Sequence, residues 1–343
     1  MPATRVLIVA TGGTIDSRRP SGSGSASVPS SATDGLVDDL AGYVDGVELI
    51  LARWGHRLGG TLGPGDFLSI ARYIEERSDR CDAVIVTAGT DTLEELAYAL
   101  TCVLRIEQPI AVVGAMRRVG DPGADGVANL LDGIAAVRDP RVRRLSPVVV
   151  LGQQVVSAVA AVKADSTGLT SFRSEYGDRH GVISEGFSYS CIPIPVNHYV
   201  GVLVEQIPDV VLVWVASGSD GRLVEACLQA QQPVVIAGSG GGHVPPEVAN
   251  AIASSCRGGI PVVVTTRCCS GPTLGVTYAG PGSETDLRQK GAVHAGLLSP
   301  LKARLRLAYG LAAGRSVTDL FPVDASGPID PPGSHRTPEE GRV

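Results

Sequence analysis

Short apolar segments recur along the chain, each followed by a turn rich in glycine, serine or threonine and then by a segment of helical period. Most of these segments are apolar at every position instead of alternating, which is typical of strands covered on both faces of a parallel sheet. Alternation of such strands with helices predicts an α/β fold. The strands are predicted at Val6–Ala10, Ala83–Val86, Ile110–Val113, Val148–Leu151, Val210–Val215, Val234–Ala237 and Val262–Thr265.

The segments between these strands predict helices, and one of them carries a start signal. Thr92 and Glu95 have the T-x-x-E spacing of a capping box, so we expect the Thr92 side chain to cap the helix that follows. Residues 17–31 are rich in serine, glycine and proline, which predicts a mobile loop in the position of a lid. The helices are predicted at Asp66–Arg77, Thr92–Leu104, Asp125–Val137, Leu223–Gln231, Glu247–Cys256 and Leu301–Ala313.

Changes of composition divide the chain. At roughly 100–200 residues per domain, 343 residues give room for two domains. Residues 191–208 contain three prolines and little helical pattern, and we interpret them as a linker. It would join an N-terminal α/β domain over 1–190 to a C-terminal α/β domain over 209–322. Residues 323–343, rich in proline, glycine and serine, are expected to form a disordered tail.

Charge and composition narrow the range of partners. The net charge is −6 and the 29 lysines and arginines are scattered, so no basic stripe follows a nucleic acid backbone. Aromatic residues make up 4% of the chain, which leaves few platforms for stacked bases. The apolar runs fall well short of the roughly 18 residues that span a membrane. A small-molecule substrate is therefore expected, with neither nucleic acid nor membrane as a partner.

Cysteine and histidine show no ligand spacing. The 7 cysteines are odd in number and form no CxxC pair, which favours reduced thiols over disulfides or zinc. The 6 histidines are dispersed, so no metal and no cofactor are expected. The first residues lack the cleavage pattern of a signal peptide, and a cytoplasmic location is expected.

Two glycine turns that bear threonine follow predicted strands, at 11–14 and 87–92. Because ligands bind beyond the carboxyl ends of parallel strands, both turns are expected at one site. Their glycines free backbone N–H groups to face an oxyanion, and their threonines are candidate nucleophiles. One such turn alone commonly does no more than cap a helix. Nucleotide binding is disfavoured, because neither turn, nor 238–243, completes a phosphate-binding motif.

Several blocks of sequence, in this order and spacing, resemble the bacterial L-asparaginase family and extend over nearly the whole chain. They are TGGTI, AGTDTLEELAYAL, PIAVVGAM with ADGVANLLDG, SAVAAVKADSTGLTSF, GSGGGHVP and GAVHAGLLSPLKARLRLAYGL. The resemblance implies a larger N-terminal α/β domain with a mostly parallel sheet and flanking helices, and a smaller parallel C-terminal one. It also implies hydrolysis of the side-chain amide of L-Asn or L-Gln through an acyl-threonine intermediate, without a cofactor.

The resemblance also assigns residues. Thr14 matches the nucleophile, and Thr90, Asp91 and Lys163 match the second threonine, the aspartate and the lysine of the family. Glu284 matches a glutamate that reaches into the site of the neighbouring subunit, which implies a homodimer or homotetramer with sites at the interface. The other positions implied to line the substrate pocket are Gly13, Gly59, Gly60, Thr61, Gly89, Gly114 and Ala115.

Three positions depart from the family pattern. No tyrosine occurs between 16 and 33, residues 58–61 read Leu-Gly-Gly-Thr in place of a polar pair, and Ala88 replaces a histidine. Two alternatives stay open, the first because these changes enlarge the pocket and the second because a fold does not by itself prove activity. One is a related enzyme that acts on a larger amide, ester or lactone, or that transfers the acyl group to an acceptor other than water. The other is a non-catalytic protein that binds a small molecule on the same fold.

Overall fold

The computed structural model describes residues 3–18, 28–29, 32–40, 42–145, 147–176, 181–184, 186–189, 198–201 and 206–322. These residues form two α/β units, each built on one main sheet, so the predicted fold class is confirmed. No helix in the described ranges is long and apolar enough to cross a membrane. The predicted linker at 191–208 and the tail at 323–343 lie largely or wholly outside the described residues, and both remain predictions.

The first unit contains twelve strands and four helices among its described residues. Its strands are β1 (Thr4–Gly12), β2 (Ser17–Arg18), β3 (Val28–Pro29), β4 (Val47–Arg57), β5 (Ala83–Thr87), β6 (Ile110–Val113), β7 (Val148–Leu151), β8 (Gln154–Ser157), β9 (Ala161–Lys163), β10 (Phe172–Ser174), β11 (Gly181–Ser184) and β12 (Gly186–Tyr189). Its helices are α1 (Ala32–Leu40), α2 (Pro64–Ser78), α3 (Leu93–Val103) and α4 (Gly126–Arg138).

The large sheet has the strand order β12-β11-β8-β7-β6-β5-β1-β4. The five strands from β7 to β4 are parallel, and β8, β11 and β12 extend the sheet with antiparallel pairs. The chain leaves β1 toward β4 on one side and then crosses to β5 on the other. This reversal makes the carboxyl end of β1 a topological switch point, where the outgoing loops diverge and leave a crevice.

Helices cover both faces of these parallel strands. Leu7 and Val9 of β1 pack in the same core as α2 and α3, whereas Val6 and Ile8 pack in the core formed with α1 and α4. All four side chains are buried. This is why the strand is apolar at consecutive positions and could be predicted from sequence.

The second unit is a smaller sheet of four parallel strands in the order β13-β14-β15-β16. Helices α5 and α6 share one core with this sheet, and α8 packs on the other face. The elements are β13 (Val211–Trp214), α5 (Arg222–Gln229), β14 (Val234–Gly238), α6 (Pro246–Arg257), β15 (Val262–Thr266), α7 (Glu284–Gln289), β16 (Val293–His294), α8 (Pro300–Ala312) and α9 (Val317–Leu320).

Helix α8 joins the two units. Leu305 and Leu307 of this helix are fully buried and belong to the same hydrophobic core as α2, α3 and the inner face of β14. A helix that is late in the sequence therefore closes the core of the first unit. This places α8 directly behind the loops that follow β5.

One local prediction, at Thr92, differs from the structure. Thr92 precedes α3 but makes no side-chain capping bond, so the predicted capping box is wrong. Its Oγ1 instead donates to the carbonyl of Gly59 at 3.0 Å, because a separate loop lies within reach. At the base of the predicted mobile loop, Ser17–Arg18 pairs with Val28–Pro29 as a short antiparallel ribbon. The residues between 18 and 28 lie outside the described ranges.

The shared core generates a stability prediction. Leu305→Ala should lower the free energy of unfolding by about 2–5 kcal/mol, because it leaves a cavity where α8 meets both units. Leu223 of α5 is 64% exposed, and Leu223→Ala is the matched control with little effect. The two tryptophans, Trp54 and Trp214, lie one in each unit.

Single-tryptophan variants made with Trp54→Phe or Trp214→Phe then report the unfolding of each unit separately in urea. The Leu305→Ala substitution should shift the midpoint of both fluorescence transitions. A shift confined to Trp214 would show that α8 stabilises only the second unit.

Candidate active site

Three loops meet in backbone contact at the switch point of the large sheet. Gly13, after β1, has a φ of +89°, and a β-carbon there would lie 2.3 Å from the Cα of Gly89, after β5. A β-carbon on Gly89 would in turn lie 3.2 Å from the Cα of Gly59, after β4. At Gly13 no larger residue fits without moving the backbone. The structure thus brings together three predicted site residues that are far apart in sequence.

Lys163 reaches this junction from the ribbon of β9 and β10. Its Nζ donates to Thr90 Oγ1 at 2.9 Å and to Asp91 Oδ1 at 2.9 Å. The Lys163 side chain is 15% exposed, whereas that of Asp91 is 75% exposed. The ammonium group therefore bridges a buried hydroxyl and a carboxylate that faces solvent. Three of the four predicted catalytic residues are in direct contact.

Thr14, the fourth predicted catalytic residue, follows Gly13 directly and opens a single 3-10 turn over Thr14–Asp16. The Gly13 carbonyl accepts from Asp16 N at 3.1 Å and from the Ser17 hydroxyl at 2.7 Å, which closes the turn. Thr14 is half-buried. Within the part of the chain that the structure describes, its hydroxyl makes no hydrogen bond.

Asp16, which was not predicted as a site residue, anchors this turn. Its carboxylate is fully buried. It accepts from the backbone N of Thr33 at 2.9 Å and from the Thr33 hydroxyl at 2.7 Å, and it lies 2.6 Å from His56 Nδ1. These contacts tie the Thr14 turn to α1 and to β4. In the sequence, the only signal for this residue is the acid in TGGTIDS. Its partners Thr33 and His56 lie 17 and 40 residues away.

Residues 58–61 form the third side of the junction. Gly59–Thr61 is a 3-10 turn, and the Thr61 hydroxyl donates to the Leu58 carbonyl at 2.8 Å within it. Thr61 therefore uses its hydroxyl to hold its own loop, while Gly60 has open space around its α-carbon. The loop thus presents backbone beside Gly89.

The loop after β6 closes the wall behind Thr90. A β-carbon on Gly114 would lie 2.9 Å from the Thr90 methyl group, and the Asn129 amide donates to the Gly114 carbonyl at 3.0 Å. The Ala115 side chain is buried in the core shared with α1 and α4. Ala115 can therefore offer only its backbone to the crevice.

Glu284 lies in the second unit, at the first residue of α7. Its carboxylate accepts from the backbone N of Thr277 and of Tyr278, both at 2.5 Å, and lies 2.9 Å from His243 Nε2. Burial raises the pKa of this carboxyl, but the backbone hydrogen bonds from Tyr278, Glu284 and Thr277 and the contact with His243 outweigh it, so the pKa is lowered. An open cavity of about 540 Å³ adjoins it, lined by the glycine turn before His243 and by residues 278–283.

Among the described residues, no contact links Glu284 to Thr14, Thr90 or Lys163 within one chain. The structure therefore does not bring this predicted site residue to the others. Glu284 is fully buried by its own chain.

A second buried acid, Glu94, lies behind Lys163 and was not predicted as a site residue. Its Oε2 accepts from the Lys163 backbone N at 3.1 Å. Lys302 of α8 extends the cluster, with its Nζ 2.9 Å from Glu175 Oε2. Burial raises the pKa of Glu94 to about 7, against the opposing effects of Lys302 and of the Lys163 amide. Burial also lowers the pKa of Lys302, which Glu175 and Glu94 partly offset.

Comparison with known proteins gives the same family for both units. The family model described as "Asparaginase, N-terminal" matches residues 5–189, and "Glutaminase/Asparaginase C-terminal domain" matches residues 209–320.

In the described residues, no group of three His, Cys, Asp or Glu side chains is arranged to hold a metal ion.

Curated relatives agree with the family models. A protein named "Probable L-asparaginase" from Deinococcus radiodurans is 32% identical over 95% of this chain and 99% of its own. "Probable L-asparaginase periplasmic" from Haemophilus influenzae is 28% identical over 89% of this chain and 88% of its own. "Glutaminase-asparaginase" from Pseudomonas aeruginosa is 27% identical over 92% and 89%. The chain belongs to the glutaminase/asparaginase family.

Proposed function

We propose that this protein hydrolyses the side-chain amide of L-asparagine, and also that of L-glutamine, to the acid and ammonia. The observation that carries the proposal is the contact of Lys163 Nζ with both Thr90 Oγ1 and Asp91 Oδ1, beside the turn that presents Thr14. The relatives named asparaginase or glutaminase-asparaginase support the same reaction. The catalytic group is then Thr14, Thr90, Asp91 and Lys163.

The chemistry requires activation of a threonine hydroxyl, which is a weak nucleophile by itself. In the proposed reaction, Thr14 Oγ1 bonds to the amide carbon and its proton is transferred to the amide nitrogen, which leaves as ammonia. As the Thr14 hydroxyl loses its proton, negative charge develops on Thr14 Oγ1. The ammonium group of Lys163, acting through the Thr90 hydroxyl, stabilises this charge. Water then attacks the ester, releases the acid and restores the Thr14 hydroxyl.

The glycine junction suits the oxyanion of this reaction. Gly13, Gly59 and Gly89 expose backbone where no side chain intervenes, and backbone N–H groups in such loops stabilise negative charge that forms on a carbonyl oxygen. We assign substrate binding to these three residues, together with Gly60, Thr61, the backbone of Ala115, and Glu284 of a neighbouring subunit.

The position of Glu284 supports a homodimer as the smallest active unit, with a homotetramer as its possible doubling. Within one chain Glu284 lies away from Lys163 and beside the cavity of the second unit. Exposed apolar side chains flank both regions: Leu58 is 54% exposed beside the glycine junction, and Val276 is 85% exposed near Glu284. Packing two copies across these surfaces would cover both side chains and complete the site.

The location in the cell remains a proposal. The six cysteines within the described ranges are all free thiols, which favours the reducing cytoplasm. The name of the Haemophilus relative gives that protein a periplasmic location. Cell fractionation of the source organism with an antibody against this chain would decide between the two compartments.

The choice of substrate depends on the loop at 58–61. This loop offers no free hydroxyl or amide side chain to a free amino acid, because Gly59 and Gly60 have none and the Thr61 hydroxyl bonds to Leu58. This observation favours a larger acyl substrate as the second candidate. Ammonia release from L-Asn and L-Gln, measured beside release from N-substituted amides and esters, separates the two candidates.

The nucleophile assignment predicts the effect of one substitution. Thr14→Ala should lower kcat for ammonia release by about a thousandfold or more, since the attacking oxygen is removed. Thr101→Ala, which removes a hydroxyl bonded to its own helix at Ala97, is the matched control and should leave kcat unchanged. Turnover retained by Thr14→Ala would disprove the role of Thr14. An inactive wild type would instead favour the alternative of a binding protein.

Lysine substitutions test the charge network. The chain contains three lysines, Lys163, Lys290 and Lys302. Lys163→Met should lower kcat by about a hundredfold or more, because the cation that acts through the Thr90 hydroxyl on the charge developing at Thr14 is lost. Lys290→Met removes an ion pair with Asp286 in the second unit and should change kcat less than about threefold. Equal losses in both variants would argue against a specific role of Lys163.

A site shared between subunits predicts complementation. Thr14→Ala and Glu284→Gln should each lower the activity of a homodimer when expressed alone. When the two are co-expressed, half of the dimers are mixed, and each mixed dimer contains one site with both residues intact. Activity should then recover to about a quarter of the wild-type value. If Glu284 instead acted within its own chain, each mixed dimer would have two defective sites and no recovery would occur.

A further inference from the structure

Glu94 connects the interior of the protein to the backbone of Lys163. It lies in the first turn of α3, one turn beyond Thr90 and Asp91, and is 8% exposed. Its Oε2 accepts from Lys163 N at 3.1 Å. The ribbon that bears Lys163 pairs over only three residues on each strand, from Ala161 to Lys163 and from Phe172 to Ser174. The Glu94 contact is therefore a separate restraint on the position of Lys163.

The Glu94 carboxyl faces charged groups from every element around it. Lys302 comes from α8, Glu175 follows β10, Glu95 is its neighbour on α3, and the Lys163 amide comes from β9. Lys302 is 1% exposed, so its charge is balanced inside the protein. Two acids share this one cation, Lys302. Burial raises the pKa of Glu94 to about 7 and Lys302 partly offsets it, so the Glu94 carboxyl is poised between its neutral and ionised forms near neutral pH.

We propose that Glu94 is a positioning residue for Lys163: its buried carboxylate, balanced by Lys302 of helix α8, holds the Lys163 backbone and thereby keeps Lys163 Nζ in contact with Thr90 and Asp91. The inference rests on the proposed function, because the role of Lys163 is assigned there. A hydrogen bond to an ionised carboxylate is shorter and stronger than one to a neutral carboxyl. The restraint on Lys163 is therefore tighter when Glu94 is ionised, above about pH 7.

A spectroscopic experiment tests this contact without any substrate. Because the chain has three lysines, protein labelled with 15N-lysine gives three backbone amide signals. The Lys163 signal, identified by its loss in Lys163→Arg, should shift with pH around a midpoint near 7. The same signal should not shift in Glu94→Gln, and the Lys290 signal, from the second unit, is the internal reference. A Lys163 signal that is independent of pH, or that titrates equally in Glu94→Gln, would overturn the proposal.

A second variant tests the part assigned to Lys302. The double substitution Lys302→Met with Glu175→Gln removes one ion pair without leaving either partner charged alone. Since Lys302 favours the ionised form of Glu94 more strongly than Glu175 opposes it, the midpoint of the Lys163 titration should move to higher pH. An unchanged midpoint would remove α8 from the proposal.

Kinetics tests whether the contact matters for catalysis. The ratio of wild-type kcat to that of Glu94→Gln should be near one at about pH 5.5 and rise to about tenfold at about pH 8.5, with KM changed less than about threefold. Glu95→Gln is the matched control, because Glu95 lies on the same turn but faces Arg304, at 4.0 Å. Its kcat should rise with pH as in the wild type, with the midpoint moved only slightly to lower pH because Glu95 no longer raises the pKa of Glu94. A ratio that does not change with pH, or the same loss in Glu95→Gln, would contradict a positioning role.

The assay of ammonia release and the titration of the Lys163 amide signal together separate this proposal from the proposed function. If the wild type releases no ammonia from L-Asn or L-Gln while the Lys163 signal titrates as expected, the function is wrong and the restraint by Glu94 stands. If the wild type is active but the Lys163 signal does not titrate, the function stands and the role of Glu94 is rejected.

Discussion

The arrangement of the site depends on one steric constraint, the contact of three loop backbones at Gly13, Gly59 and Gly89. A β-carbon on Gly13 would lie 2.3 Å from the Gly89 Cα, so this approach is possible only without side chains. The loops follow β1, β4 and β5, which are adjacent in the sheet because the strand order reverses at β1. The topology thus brings the loops to one edge, and the glycines let them touch. Thr14 and Thr90 each directly follow a glycine of this junction.

A second constraint is the balance of charge in the interior between the two units. Lys302 enters from α8, and the acids Glu94 and Glu175 come from the first unit. Removing Lys302 would leave these acids without a cation and out of contact with water, which is strongly unfavourable. The packing of α8 against α3 therefore does more than extend the hydrophobic core. It also fixes the electrostatic environment of the segment that bears Lys163, although α8 and Lys163 are more than a hundred residues apart in sequence.

The sequence predicted the parts of the fold whose pattern is local. Strands such as β1 were found because both faces are covered and every position is apolar, while β4 was missed because it lies at the edge of the sheet and its residues are only partly buried. For the site, glycine turns and motif resemblance predicted Thr14, Thr90, Asp91 and Lys163. Asp16 and Glu94 could not be predicted in the same way. Their roles depend on partners 40 and 69 residues away, and a single acid in a sequence carries no sign of such a contact.

The residues around Lys163 become more exposed from the interior toward the crevice. Glu94 is 8% exposed, the Lys163 side chain 15% and the Asp91 side chain 75%. An ion pair with one partner so exposed adds little to stability, because water screens it. The pair of Lys163 and Asp91 is therefore poorly explained as a device that holds the fold together, whereas the buried group at Lys302 is part of the packed interior. Asp91, at the exposed end of the network, is free to respond to a substrate. The buried group at Glu94 and Lys302 fixes the position of Lys163 during that response.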